Sequence, residues 1–211
     1  RSALRFVVPT GNFGNVLAGW LTARMGLPAE CFVVATNQND LLYRLFTSGR
    51  YQQGKLSHSL APSMDIQVAS NFERFLHYHL GGDSQQTARI MARVKAGEAV
   101  DLPDFHPGKF TATRTDDNGI LKNIRMTREK FDYLPDPHTA CGFQDINPAI
   151  PTVILATAHP AKFPETIRQA VDEQSTHPSL EALKSRDPLA VNLPATCRAV
   201  RDYLEENILK G

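Results

Sequence analysis

Residues 4–36 read LRFVVPTGNFGNVLAGWLTARMGLPAECFVVAT, and they carry the clearest indication of the fold. Its two ends, residues 4–8 (LRFVV) and 31–36 (CFVVAT), are short apolar runs rich in β-branched side chains, a pattern typical of buried strands. Between them, residues 15–25 carry large apolar side chains at helical spacing, namely Leu17, Trp20, Leu21 and Met25. A strand–turn–helix–strand unit of this length predicts parallel strands joined by a right-handed crossover.

The rest of the chain alternates between helical and strand patterns. Asp40 and Asp65 each precede an apolar helical pattern, so each is a candidate N-cap. Further predicted elements are a helix over residues 84–97, a strand over 152–156, and helices over 163–174 and 194–209. The sequence therefore predicts an α/β protein with an open, mostly parallel sheet and flanking helices.

The middle of the chain differs from both ends in its sequence pattern. Residues 83–136 are punctuated by Pro and Gly, and the Asp117-Asn118-Gly119 turn predicts a link between two short strands. We interpret this region as an insertion or small subdomain. The predicted organisation is a first domain segment over 1–82, the insertion over 83–136, and a return to the first domain with C-terminal helices over 137–211.

Composition limits the possible partners. The 211 residues include 23 Lys and Arg against 22 Asp and Glu, a balance that gives no reason to expect nucleic acid or a membrane surface as a partner. No apolar run approaches the ~20 residues that span a bilayer. Three widely spaced cysteines without a ligand motif predict no metal site and suggest buried, reduced thiols in a cytoplasmic protein. The apolar segment that follows Arg1 suggests a cut through a longer protein.

The turn PTGNFGN, residues 9–15, separates the first strand from the first helix. A helix N-terminus presents unpaired N–H groups and a partial positive charge, which together bind anions such as phosphate. Gly11 and Gly14 allow close approach of the backbone and tolerate positive φ. An ordinary βα turn explains the same residues. A nucleotide is not the first choice of ligand, because the turn lacks the GxGxxG and P-loop patterns.

Four further stretches give the turn a context: NDLLYRLFTSG at 39–49, LAPSMDIQVASNFERFL at 60–76, DPHTACG at 136–142 and ATAHPAKFPE at 156–165. Together with the glycine turn, they closely resemble the threonine synthases of bacteria and fungi. Those enzymes use pyridoxal phosphate and share their fold type with the tryptophan synthase β subunit. The resemblance covers the whole chain and is weakest over residues 83–130.

This resemblance implies where the cofactor binds. Five consecutive residues would bind the phosphate of pyridoxal phosphate through their backbone, namely Gly11, Asn12, Phe13, Gly14 and Asn15. Thr157 would face the pyridine nitrogen from a strand end. A hydroxyl there is expected to donate to a ring nitrogen that stays largely unprotonated. The family's Schiff-base lysine lies in an FKD-type motif that this sequence lacks, so we expect it upstream, and no catalytic residue is predicted in this chain.

Five polar residues in the same motifs are candidate substrate contacts: Asn39, Ser63, Asp65, His159 and Lys162. Each has a structural alternative. These are a loop position for Asn39, a packed turn for Ser63 and Asp65, and a helix-capping surface pair for His159 and Lys162. His138 is predicted to form structural hydrogen bonds at a helix start.

The resemblance therefore predicts the C-terminal part of threonine synthase, a lyase of threonine biosynthesis. It would convert O-phospho-L-homoserine and water to L-threonine and phosphate, with the N-terminal half of the same enzyme as its partner. The chain alone is expected to be inactive. Two alternatives remain open at this point: a threonine-synthase-like phospho-lyase that releases a keto acid, and a lysine-less structural or partner module.

Overall fold

The structure, a computed structural model, describes residues 4–102, 105, 108–144, 146–147, 149–187 and 190–209. The chain forms two compact units, Arg1–Thr176 and His177–Gly211. The strands are β1 (Leu4–Pro9), β2 (Ala29–Thr36), β3 (Arg50–Tyr51), β4 (Val100–Asp101), β5 (Phe110–Arg114) and β6 (Thr152–Ile154). The helices are α1 (Gly14–Arg24), α2 (Leu41–Ser48), α3 (Phe72–His79), α4 (Ser84–Lys95), α5 (Asp117–Phe131), α6 (Pro137–Cys141), α7 (Pro164–Val171), α8 (Pro178–Leu183) and α9 (Cys197–Asn207).

The centre of the first unit is a four-stranded sheet in the order β5-β2-β1-β6, and every neighbouring pair is parallel. β3 and β4 form a separate antiparallel pair. The crossover from β1 through α1 to β2 is the unit that residues 4–36 predict. The prediction of an α/β fold with a mostly parallel sheet and flanking helices is confirmed.

Alternate residues of the central strands pack into different hydrophobic clusters on the two faces of the sheet. Val8 of β1 and Val34 of β2 belong to the largest cluster, whereas Val7 and Val33 belong to a smaller one. This alternation follows from the two-residue period of a strand, which points successive side chains to opposite faces. A third cluster joins α5, α6 and α7 through buried side chains such as Ile124, Cys141 and Ile167.

Two local predictions are wrong, and a third is confirmed only in position. Asp117 and Gly119 form the first turn of α5 instead of a hairpin, because the side chain of Asp116 accepts the Gly119 N–H at 2.8 Å and caps the helix. Asp40 is the N-cap residue of α2, as predicted, but its side chain makes no cap hydrogen bond and instead pairs with arginines. Asp65 lies seven residues before the start of α3, so it caps no helix there.

The boundaries at 82 and 136 stay a prediction, although β5 from the 83–136 segment belongs to the main sheet. Cys141 is buried as predicted, whereas Cys31 is partly exposed and Cys197 is exposed. Among the described residues, no helix combines the length and apolar character needed to cross a bilayer. The same residues contain no cluster of three or more His, Cys, Asp or Glu side chains suited to a metal ion.

Candidate active site

The turn between β1 and α1 is held by a buried phenylalanine. Phe13 is the N-cap residue of α1, has φ of 68° and is fully buried. Its ring packs among four others, those of Phe46, Phe72, Phe75 and Phe110, with centroids 5.4–6.3 Å away. The side chain therefore anchors the turn to the core.

The two glycines of the turn are required for close packing rather than for positive φ. The expectation of positive φ at Gly11 and Gly14 is wrong, since Phe13 is the residue of this turn in the left-handed region. A Cβ atom on Gly11 would lie 3.1 Å from both the Ser63 carbonyl oxygen and the Met64 Cα. The absence of a side chain at Gly11 thus lets the 60–66 segment approach the turn.

The start of α1 presents backbone donors. Asn12 Oδ1 accepts the Gly14 N–H at 2.9 Å, and the Phe13 carbonyl accepts the Leu17 N–H at 3.0 Å. The N–H groups of Asn15 and Val16 lie between these two bonds, in the first turn, where helix geometry supplies no acceptor. The positive end of the helix dipole adds to their preference for an anion.

A cavity of about 290 Å³ lies at this end of the sheet. Its lining comes from four segments that are distant in sequence: Pro9, Thr10, Gly11, Asn12 and Asn15; Ser63 and Met64; His138; and Thr157, Ala158 and Lys162. Parallel sheets bind ligands at the carboxyl ends of their strands, and here the turns after β1 and β6 meet. The cavity brings together six predicted site residues, namely Gly11, Asn12, Asn15, Ser63, Thr157 and Lys162.

The other predicted site residues lie outside the lining. Asp65 Oδ1 accepts hydrogen bonds from Asn37 Nδ2 at 2.6 Å, Asn39 Nδ2 at 2.8 Å and Ser59 Oγ at 2.6 Å. This cluster ties the end of β2 to the 57–65 loop, as the packed-turn alternative predicts for Asp65. His159 accepts the Ala161 N–H at 3.1 Å and caps a short 3₁₀ turn. Gly14 and Phe13 line no part of the cavity. Ligand contacts of these residues stay predictions.

A buried carboxylate behind the cavity organises one wall. Asp136 precedes α6, and its side chain is fully buried. Its Oδ1 accepts the backbone N–H groups of His138 at 2.9 Å and Thr139 at 3.3 Å, and its Oδ2 accepts the Ala158 N–H at 3.2 Å and the Thr139 hydroxyl. Burial by itself raises the pKa of Asp136, but the hydrogen bonds from His138 and Thr139 outweigh it and hold the pKa below its usual range.

His138 links this carboxylate to the 60–66 segment. Its Nε2 accepts the Ser63 N–H at 3.0 Å, so the ring proton resides on Nδ1, which lies 3.0 Å from Asp136 Oδ1. The imidazole is therefore the neutral tautomer with its proton on Nδ1, and its Nε2 accepts the hydrogen bond from the Ser63 N–H. The prediction that His138 forms structural hydrogen bonds at a helix start is confirmed.

Comparison with known proteins identifies the family. The family model "Threonine synthase, C-terminal" matches residues 138–204. The threonine synthase of Pseudomonas aeruginosa is 35% identical over 99% of this chain, and that of Saccharomyces cerevisiae is 33% identical over 98%. A crystal structure of threonine synthase from Brucella melitensis, titled as bound to PLP, is 36% identical over 97% of the chain with a TM-score of 0.85. The chain belongs to the threonine synthase family. It spans about half the length of the curated relatives it matches, 47% in both of these.

Sequence reasoning missed four residues at this site: Thr10, Ala158 and the pair of Asp136 and Thr139. The motif DPHTACG carried a signal for that pair. An Asp followed by Pro at the first helical position is a helix start, and Asp136 is the N-cap of α6. That the same carboxylate also reaches Ala158, 22 residues away, is set by tertiary structure.

Proposed function

We propose that this chain provides the phosphate-binding turn and the ring-nitrogen wall of a threonine synthase. The enzyme binds pyridoxal phosphate and converts O-phospho-L-homoserine and water to L-threonine and phosphate. The observation that carries this proposal is the cavity that joins the start of α1 to Thr157. Two comparisons support the proposal: the chain belongs to the threonine synthase family, and the Brucella melitensis structure is titled as bound to PLP.

The residues of the cavity fit this cofactor. Its phosphate needs donors and positive potential, which the first turn of α1 supplies through the Asn15 N–H beside the cavity and through the helix dipole. A Cβ atom on Gly11 would crowd the backbone of Ser63 and Met64 at 3.1 Å, so its absence lets the turn stay close to the 60–66 segment. At the opposite wall, the Thr157 hydroxyl is a polar partner of the right kind for a pyridine nitrogen.

In this proposal, each polar group of the cavity has a role in binding the cofactor or the substrate. When bound, pyridoxal phosphate supplies the electron sink for carbanion chemistry. The N–H groups of α1 bind the cofactor phosphate, and Thr157 orients the ring. Lys162 brings a positive charge to the lining, where it attracts the substrate phosphate. We expect the Schiff-base lysine and the rest of the substrate site in the N-terminal half of the same enzyme, in the cytoplasm.

The direct test is product analysis with the full-length protein loaded with pyridoxal phosphate. Incubation with O-phospho-L-homoserine should release threonine and phosphate in equal amounts, measured by amino-acid chromatography and a phosphate assay. Release of 2-oxobutyrate instead of threonine would support the phospho-lyase alternative. A loaded protein that forms neither product would overturn the proposal and favour a partner module.

A second test concerns the missing lysine. The 211-residue chain alone should yield no peptide carrying the cofactor after borohydride reduction and mass spectrometry, whereas the full-length protein should yield one from its N-terminal half. A reduced adduct on one lysine of this chain would contradict the assignment.

A further inference from the structure

One face of the central sheet is only partly covered by the described residues. Neighbouring strands are in register, so one set of side chains leaves the sheet on a single side: Arg5, Val7, Cys31, Val33, Thr111 and Thr113. We call this side the Arg5 face. It carries only the small cluster of Val7 and Val33, whereas the opposite face carries the largest hydrophobic cluster. Cys31 is partly exposed and Thr111 is exposed. Because parallel sheets are buried on both faces, the Arg5 face needs a further cover.

A cavity of about 160 Å³ on the Arg5 face contains two unpaired polar groups. Its lining includes Arg5, Val33 and Thr113, which come from three neighbouring strands. Arg5 Nε donates to Thr152 Oγ1 at 3.1 Å. Arg5 Nη2 and Thr113 Oγ1 are buried, and no described residue gives either atom a hydrogen-bond partner. The cavity thus brings together a guanidinium donor and a hydroxyl that both need a partner.

The Arg5 guanidinium also lacks a counter-charge. No carboxylate of the described part of the chain lies within ion-pair distance of it. A guanidinium keeps its proton in proteins, so it cannot avoid the cost of burial by becoming neutral. Its planar fork of N–H groups matches a carboxylate or a phosphate. We therefore expect an oxyanion in the cavity, which would also accept the Thr113 hydroxyl proton.

We propose that the Arg5 face is a docking surface for a segment of the N-terminal half whose Asp or Glu carboxylate pairs with Arg5 Nη2 and accepts the Thr113 hydroxyl. The inference rests on the proposed function only for the identity of this partner. The chain spans 47% of the Pseudomonas aeruginosa threonine synthase, so slightly more than half of that protein lies outside the match. A polypeptide segment is favoured over a free anion because it also covers Cys31 and Thr111, which a small anion in the cavity would leave exposed.

Carbodiimide coupling of full-length Arg5→Lys tests the pairing directly. The reagent joins an amine to a carboxylate that touches it, without a spacer, and mass spectrometry of the peptides identifies both ends. The amine at position 5 should be linked to one Asp or Glu of the N-terminal half. Thr22→Lys, at an exposed position of α1, is the control and should give no link to that carboxylate.

Two coupling results would overturn the proposal. One is the absence of any link at position 5. The other is a link from position 5 to a carboxylate of this chain, such as Asp145, whose sequence neighbours Gln144 and Ile146 line the cavity.

Thiol labelling of the full-length protein tests whether the Arg5 face is covered. Native labelling with iodoacetamide should modify Cys31 at least tenfold more slowly than the exposed Cys197. Arg5→Met should speed the labelling of Cys31 severalfold, whereas Arg24→Met, at an exposed arginine, should not. Removing a positive charge beside a thiol by itself disfavours the reactive thiolate, so a faster reaction reports uncovering. Equal rates for Cys31 and Cys197 in the wild type would overturn the proposal.

Inorganic phosphate distinguishes a docked carboxylate from a free anion. With the carboxylate in place, added phosphate should shift the Tm of the wild type and of Arg5→Met equally. A rise in Tm that occurs only in the wild type would assign the cavity to a free anion and overturn the docking proposal. None of these readouts uses catalysis, so their failure leaves the proposed reaction intact, and a protein that forms no threonine leaves this inference standing.

Discussion

Replacing Asp136 with Asn should destabilise the protein, because both oxygens of this carboxylate accept hydrogen bonds and an asparagine side chain has only one oxygen. Oδ1 faces the His138 N–H, its Nδ1–H and the Thr139 N–H, and Oδ2 faces the Thr139 hydroxyl and the Ala158 N–H. An asparagine amide has the same shape but offers one acceptor oxygen and one NH₂ donor. Its oxygen should take the Oδ1 position, where more donors converge.

The loss of stability follows from the two donors that the NH₂ group then faces at the former Oδ2 position. The Thr139 hydroxyl can rotate and accept from it, but the Ala158 N–H cannot and loses its partner. A buried donor left unpaired costs about 1–3 kcal/mol, and the part-buried Ala158 N–H belongs at the lower end of that range; replacing a charged acceptor by a neutral one weakens the remaining bonds by roughly 1 kcal/mol. We therefore expect the free energy of unfolding to fall by about 2 kcal/mol, or a Tm decrease of roughly 4–8 °C for a unit of this size.

The pH dependence has a definite sign. The pKa of Asp136 is lowered in the folded state, so its stabilising effect is fully present above the unfolded value, about 3.9. That effect is lost as the pH falls through the folded pKa. The difference between wild type and Asp136→Asn should therefore be constant near neutral pH and shrink in acid.

Thermal unfolding of the full-length protein, followed by far-UV circular dichroism from pH 7 downward, measures both effects. Asp101→Asn is the matched control, because Asp101 is exposed and the chemical change is identical. It should leave Tm within about 1 °C of the wild type, as expected for an exposed position. An Asp136→Asn variant as stable as this control at pH 7, or a deficit that persists unchanged in acid, would refute the reasoning.

Three further substitutions or labelling experiments test other parts of the structure. Phe13→Ala should lower the free energy of unfolding by about 3–5 kcal/mol, whereas Phe131→Ala, at a side chain 64% exposed, should cost far less in the same urea titration. Gly11→Ala should reduce pyridoxal phosphate affinity at least tenfold by pushing the 60–66 segment away, and an unchanged fluorescence titration would argue against the tight packing. Thiol labelling should modify exposed Cys197 in the native protein but Cys141 only after unfolding, since burial raises the pKa of the Cys141 thiol; rapid native labelling of Cys141 would contradict this.

Much of the candidate site could be predicted from local patterns. The apolar runs and helical spacing of residues 4–36 predict the bounds of β1, α1 and β2 to within a few residues, because the period of buried side chains can be seen in neighbouring positions of the sequence. The errors arose where a side chain had competing partners. Asp40 is the N-cap residue of α2, yet its side chain pairs with Arg44 and Arg114 and makes no cap hydrogen bond, and Arg114 comes from β5, the strand next to β2.

Local patterns were enough to predict the strand–turn–helix unit, the α/β class and the resemblance that points to the cofactor. Tertiary structure decided how the cavity wall is built: the Ser63 N–H meets His138 across 75 residues, and Thr139 meets Thr157 across 18. It also decided that Phe13, rather than a glycine, takes the left-handed conformation, because four aromatic neighbours hold its side chain in the core. Turn and helix signals act over a few residues, whereas hydrogen-bond partners depend on which strand ends the sheet order brings together.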